Sequence, residues 1–214
     1  MDMVDITRNP AFADWQHLIS RTKMISNILE SASACYKNYM LLANAINEKK
    51  KIAQIAPVGI NTMAYACLFH CIIQLCTVFV DNDENDYNYD KLLSDFEKKK
   101  DILIRMSGKD KVTSLLENLK VEKTYYTESI ERLRKRRNKV YVHNDSKFFC
   151  DFEKINKELP LFFADKENLI DFGIKSCDRL RDLFNTPYLI YTHMTVGDEK
   201  DFSNVIDFIE KKYK

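Results

Sequence analysis

Glycine and proline are scarce, with four of each in 214 residues. So few chain-breakers exclude a sheet protein with many tight turns and favour long helices. Net charge is nearly absent as well, at +1, so nothing draws the whole chain toward nucleic acid or membrane. Any nucleic-acid surface has to be local. No internal repeat or low-complexity linker interrupts the chain, and the first residues include Asp2 and Asp5 without a signal-type apolar stretch. The six cysteines are therefore expected as reduced thiols of a cytoplasmic protein, and a disulfide framework is not. With 45% hydrophobic residues there is material for one sizeable core, and one domain over 1–214 is the simplest count.

In place of breakers there is helical periodicity. Asn9-Pro10 reads as an N-cap followed by a first-turn proline, and Trp15, Leu18, Ile25, Leu29, Tyr36 and Ile46 then recur at helical spacings. This predicts one long helix, or two in line, within 10–50. From Val58 to Val80 no residue is charged. A membrane span is opposed by Asn61, His70, Gln74 and the lack of a second such segment, so a central helix buried on all sides is expected.

Cys67, His70 and Cys71 share a face of that helix with Cys76 beyond, yet no Cys-x-x-Cys pair occurs. Buried thiols are expected there, and no metal site. Asp81–Asp86 resembles a calcium loop, but Asp86 stands where the turn needs Gly and Leu92 where the bidentate Glu belongs. A polar connection that caps the next helix is the better reading. Leu92 to Met106 outlines a helix stopped by Ser107-Gly108, and a long helix is predicted from about Asp110 to Asn144. A short helix closing at Pro160, a helix capped by Asp165 and a last one opened by Asp198 complete an all-α bundle of about five to seven helices. In this layout helices in 10–50 and 165–214 pack on a core of 58–145.

Reactive residue types are concentrated at the end of the predicted 110–144 helix, in Arg136-Arg137-Asn138-Lys139-Val140-Tyr141-Val142-His143-Asn144-Asp145. Arginine is a permanent forked cation for phosphate, and histidine titrates near neutrality. On a straight helix Arg137 and His143 lie about 120° apart around the axis and about 9 Å along it. Their cooperation therefore requires the helix to end or bend near Tyr141, or a site shared with a second chain. The stripe Val112, Leu116, Leu119, Ile130, Leu133 continues to Val140 only if Arg136 or Arg137 faces inward. An inward cation needs a partner or a cavity, and the plain structural reading is an arginine paired with a carboxylate of a neighbouring helix. The cluster Arg132, Arg134, Lys135, Arg136, Arg137, Lys139 reads either as a solvated face or as a phosphate-binding one. His17, His70 and His193 have no such company and are expected to be structural or superficial.

Arg137-Asn138, four residues, then His143 resembles the R-x(4–6)-H signature of the HEPN superfamily, in particular its abortive-infection, AbiU2-like branch. The polar residue after Arg is typical of that superfamily. The resemblance implies an all-helical fold, a homodimer that brings two motifs into a composite site, and a metal-independent endoribonuclease of toxin or antiviral-defence type with no cofactor. It implies Arg137, Asn138 and His143 as catalytic residues acting on RNA, with an antitoxin protein as a further partner. Arg136, Lys139, Tyr141, Asn144, Asp145 and Arg134 fall beside them as candidate substrate-binding residues, and Arg136 replaces Arg137 if the register shifts by one. Some relatives carry an adenylylated Tyr two residues after His, where this chain has Asp145. That places adenylylation in doubt, and Asp145 could instead pair with His143 and raise its pKa. The alternatives are a non-catalytic helical module that binds RNA or nucleotide or dimerises, and a coincidental motif.

Overall fold

A computed structural model describes residues 10–80, 85–142, 152–184 and 199–212. The protein is all-α: among the described residues there are ten α-helices, one π-helical segment and no strand. They are α1 (Pro10–Asn47), α2 (Lys51–Ile55), α3 (Pro57–Phe79), α4 (Tyr89–Lys98), α5 (Lys100–Ser107), α6 (Lys109–Thr124), α7 (Thr127–Arg136), the π segment (Arg137–Val142), α8 (Phe152–Glu158), α9 (Phe163–Arg181) and α10 (Glu199–Lys212).

The long N-terminal pattern is a single helix of 38 residues, about 57 Å long. Its inner stripe, Leu18, Thr22, Ile25, Leu29, Ala32 and Tyr36, alternates fours and threes and is buried throughout. This stripe lies mainly against α3 and then against α9. The three helices come so close that a Cβ on Gly173 of α9 would stand 2.6 Å from Leu29 Cδ1 and 3.0 Å from Phe79. Around this crossing Phe172 packs on Tyr126, Tyr89 and Phe79 at centroid distances of 4.7, 5.3 and 6.2 Å. A smaller cluster, Leu42, Ala45, Ile52, Ile60, Ala64 and Ile206, joins the far ends of α1 and α3 to α2 and α10.

Three predicted features require correction. The charge-free helix is not buried on all sides. Cys71, Leu75 and Phe79 are closed off, whereas Val58, Met63 and Phe69 are 78%, 43% and 48% exposed. The main core takes in the second half and reaches back only to Leu68 among the described residues, and the smaller cluster covers one side of the first. α3 is long and apolar enough to cross a membrane, with 39% of its most apolar window buried.

The helix expected over 92–106 is interrupted at Lys99. The 110–144 helix divides at Tyr125-Tyr126, where Tyr125 N–H bonds Glu122 O at 3.1 Å and Tyr126 N–H bonds Lys123 O at 3.0 Å. Thr124 and Thr127 hydroxyls bond nearby carbonyls, at 2.6 and 2.8 Å, and the break turns the Tyr126 ring onto Phe172. Gly108 stops α5 at φ 86°, as its sequence position suggests. Asn88 caps α4, accepting from Asp90 and Lys91 N–H at 2.8 and 3.2 Å, so the acidic connection does cap the next helix.

Candidate functional site

α7 is the platform of the motif, and one carboxylate locks it in place. Asp165, 4% exposed at the start of α9, accepts from Ser129 Oγ at 2.6 Å and from Arg132 Nη2 and Nε at 2.6 and 3.0 Å. It also accepts from Phe162 N–H at 2.8 Å, so it closes the first turn of α9 from its third position rather than as the N-cap. Burial alone would push its carboxyl up. The bonds from Arg132, Ser129 and the Phe162 amide outweigh that and hold it below the ordinary value. Arg132 in turn lies over the Phe162 ring at 5.3 Å.

One turn on, the inward arginine of the stripe is Arg136, 8% exposed. The expected carboxylate partner belongs to Arg132 instead. Arg136 donates to Asn156 Oδ1 at 3.0 Å and, at 3.4 Å, to the Leu159 carbonyl, while its Nε has no hydrogen-bond partner among the described residues. Lys166, equally buried, donates to the Phe162 and Leu161 carbonyls at 2.9 and 3.3 Å. Together the two cations hold the turn between α8 and α9. Burial lowers the Lys166 ammonium to about 8, with Cys71 opposing the shift and Arg136 adding to it.

At Arg137 the backbone changes from α to π, running to Val142. A π turn closes i to i+5 and is wider than an α turn, so it alters the phase between Arg137 and whatever follows; single π turns in helices concentrate at functional sites. Arg137 is half-buried, and its Nε donates to Asn138 Oδ1 at 3.0 Å. Its charge reaches the Cys76 thiol on α3, but burial dominates there and raises that thiol to about 12. Cys71 and Cys177 are likewise raised to about 12 by burial. These thiols stay protonated near neutrality, as expected of core cysteines. Among the described residues no group of three His, Cys, Asp or Glu could hold a metal ion.

Of the other candidates, Arg134 pairs with Glu131 at 3.1 Å, and Lys139 is exposed on the π segment. The backbone of Tyr141 belongs to that segment. His143, Asn144 and Asp145 lie outside the described residues. Sequence reasoning missed Ser129, Lys166 and Asn156, and took Asp165 only for a helix cap. The one available signal was the run Arg132 to Lys139 on a helix, which demands an internal counter-charge without saying where it is.

An all-helical chain whose motif helix ends on an Arg-Asn pair, with a histidine six residues on, has the layout of an abortive-infection-related HEPN protein. The family model of AbiU2 matches residues 16–202, and the chain belongs to this HEPN family. No curated protein and no solved structure matches the chain.

Proposed function

We propose that the chain is an endoribonuclease of toxin or antiviral-defence type whose residues need no metal for the chemistry. The observation that carries this reading is the Arg137-Asn138 pair, half-buried at the π-helical end of a helix locked by Asp165, in a chain of the AbiU2 family. In the reaction the 2′-oxygen of RNA bonds to the adjacent phosphorus and the P–O5′ bond breaks, leaving a 2′,3′-cyclic phosphate and a 5′-hydroxyl. His143 takes the 2′-OH proton, and a second acid, His143 of a second copy in the composite-site arrangement, protonates the departing 5′-oxygen. Each transfer contributes ~10²–10⁴ in rate. Arg137 donates to the non-bridging oxygens as charge builds on them, and Asn138 holds the Arg137 fork by its Nε. Arg137 takes this role over Arg136 because Arg136 is committed to the turn between α8 and α9. A second copy is supported by the first half of α3, where Val58, Met63 and Phe69 are exposed on a helix without a charged residue.

Cleavage of end-labelled single-stranded RNA and of tRNA in EDTA, with wild type beside His143→Ala and Arg137→Ala, tests the reading. Cyclic phosphate ends that vanish in both variants are expected. Cleavage that persists in pure His143→Ala, or none by wild type, overturns it.

A further inference from the structure

A groove of about 380 Å³ lies between the last turns of α1, the first turns of α3 and the first residue of α9. Its volume is that of a small-molecule site. Three aromatic rings, Tyr39, Tyr65 and Phe163, and three side-chain amides, Asn44, Asn47 and Asn61, shape it, and no lining residue carries a charge. The rings are held in advance. Tyr39 stacks at a tilt of 35° on Phe163, 6.2 Å away, and on Tyr36, 6.4 Å away. Phe163 is braced by the Lys166 ammonium, 5.0 Å from its centroid, and is nevertheless 52% exposed. Tyr65 is 49% exposed. Asn61 Nδ2 donates to Pro57 O at 2.9 Å, which orients that amide and leaves its oxygen and second N–H as recognition groups.

Uncharged rings with amides at their edge suit a flat, uncharged heteroaromatic ligand that offers donors and acceptors around its rim. A nucleobase has those properties, and an aliphatic side chain would leave the amides unused.

We infer that this groove binds one unpaired nucleobase of the RNA, stacked on Tyr65 and Phe163 and read at its edge by Asn44, Asn47 and Asn61. The assignment rests on the RNA-directed reading above and adds to it a base subsite separate from the Arg137 phosphate site.

The test uses the full chain and a fluorescent single-stranded RNA carrying 4-thiouridine, with 2′-O-methyl riboses so that it cannot be cleaved. Affinity by anisotropy, cross-linked residues by mass spectrometry and oligomeric state by sedimentation are compared for wild type, Tyr65→Ala, Asn47→Ala and Arg137→Ala. Tyr65 and Asn47 are exposed, so both variants should keep the wild-type thermal melt. A cross-link at Tyr65 or Phe163 with roughly 5- to 150-fold weaker binding in Tyr65→Ala is expected from the loss of one stack. Unchanged affinity in Tyr65→Ala with cross-links elsewhere overturns the groove and leaves the ribonuclease reading standing. RNA binding that falls together with dissociation of the Tyr65→Ala protein into single chains would place a second copy in the groove and overturn it too. No binding by wild type at low salt removes both readings at once.

Discussion

The two halves of α3 have the same kind of sequence and opposite surroundings. From Pro57 to His70 and from Cys71 to Phe79 there is no charged residue, yet Cys71 and Leu75 are fully closed off while Val58 and Phe69 are 78% and 48% exposed. The second half sits where α1, α9 and the aromatic group around Phe172 converge. The first half meets mainly the small cluster, with Leu68 alone packing on the main core among its described apolar side chains, so Ile60 and Ala64 are buried, one turn apart, and the residues between them face outward. Apolar composition thus equipped both halves for burial, and among the described residues the second half is the more fully covered. An uncharged face of that size is either a partner surface or a solubility liability.

The contrast is tested most strongly by truncation. Phe79→Ala should lower unfolding free energy by about 3–5 kcal/mol in urea titrations, because it empties a site in contact with Phe172 and Tyr89. Val58→Ala should stay within about 0.5 kcal/mol in dilute protein. Equal effects would break the comparison and mean that the first half is covered in solution.

Buried charges sharpen the same point. Lys166 has a folded value near 8, below the ordinary 10.5, so between those pH values the unfolded chain holds a proton that the native one has shed. Native stability from this group therefore rises with pH across that window, by up to roughly 3 kcal/mol. Urea melts of wild type and Lys166→Met should diverge in favour of wild type from pH 8 to 10.5; parallel curves would mean that the ammonium is solvated. Subtracting the variant matters because Cys71, Cys76 and Cys177, raised to about 12, make stability fall above their free value of 9 in both proteins.

Asp165 also has a depressed folded value, so its contribution likewise rises with pH, but in the acid range. Its contribution is present above the free value of 3.8 and is lost as pH falls through the folded value. Asp165→Ala should cost about 2–3 kcal/mol at pH 7, leaving Arg132 and Ser129 without their acceptor, and the gap from wild type should narrow on acidification. A constant gap would reassign the loss to packing. A smaller loss is expected for Gly173→Ala, about 1–3 kcal/mol from overpacking against Leu29 and Phe79, and a neutral result would show that α9 can withdraw from α1.

Much of this architecture was legible because its signals are local. The alternating threes and fours of α1, the Gly108 stop and the Asn88 cap involve residues within a turn or two of each other. The motif Arg137-Asn138 to His143 is equally local, and it pointed to the family that the comparison established. The need for an inward arginine was also readable from the stripe. Which arginine it would be, and that its partners would be Asn156 and Leu159 rather than a carboxylate, was not. Asp165 lies 33 positions from Arg132, and nothing in the spacing of either residue predicts their pairing.

By itself, then, the amino-acid order determined an all-α chain of the AbiU2 family with its polar motif at the end of a helix, since periodicity, caps and breakers act over a few residues. Tertiary structure accompanies the break in the motif helix, where the Tyr126 ring packs on Phe172 of α9. It decided that Arg136 is spent inside while Arg137 stays at the edge, and that the first half of α3 keeps Val58, Met63 and Phe69 exposed. Each of these depends on which surface arrives from a distant part of the chain, and hydropathy and charge record the capacity for such contacts without recording the contact.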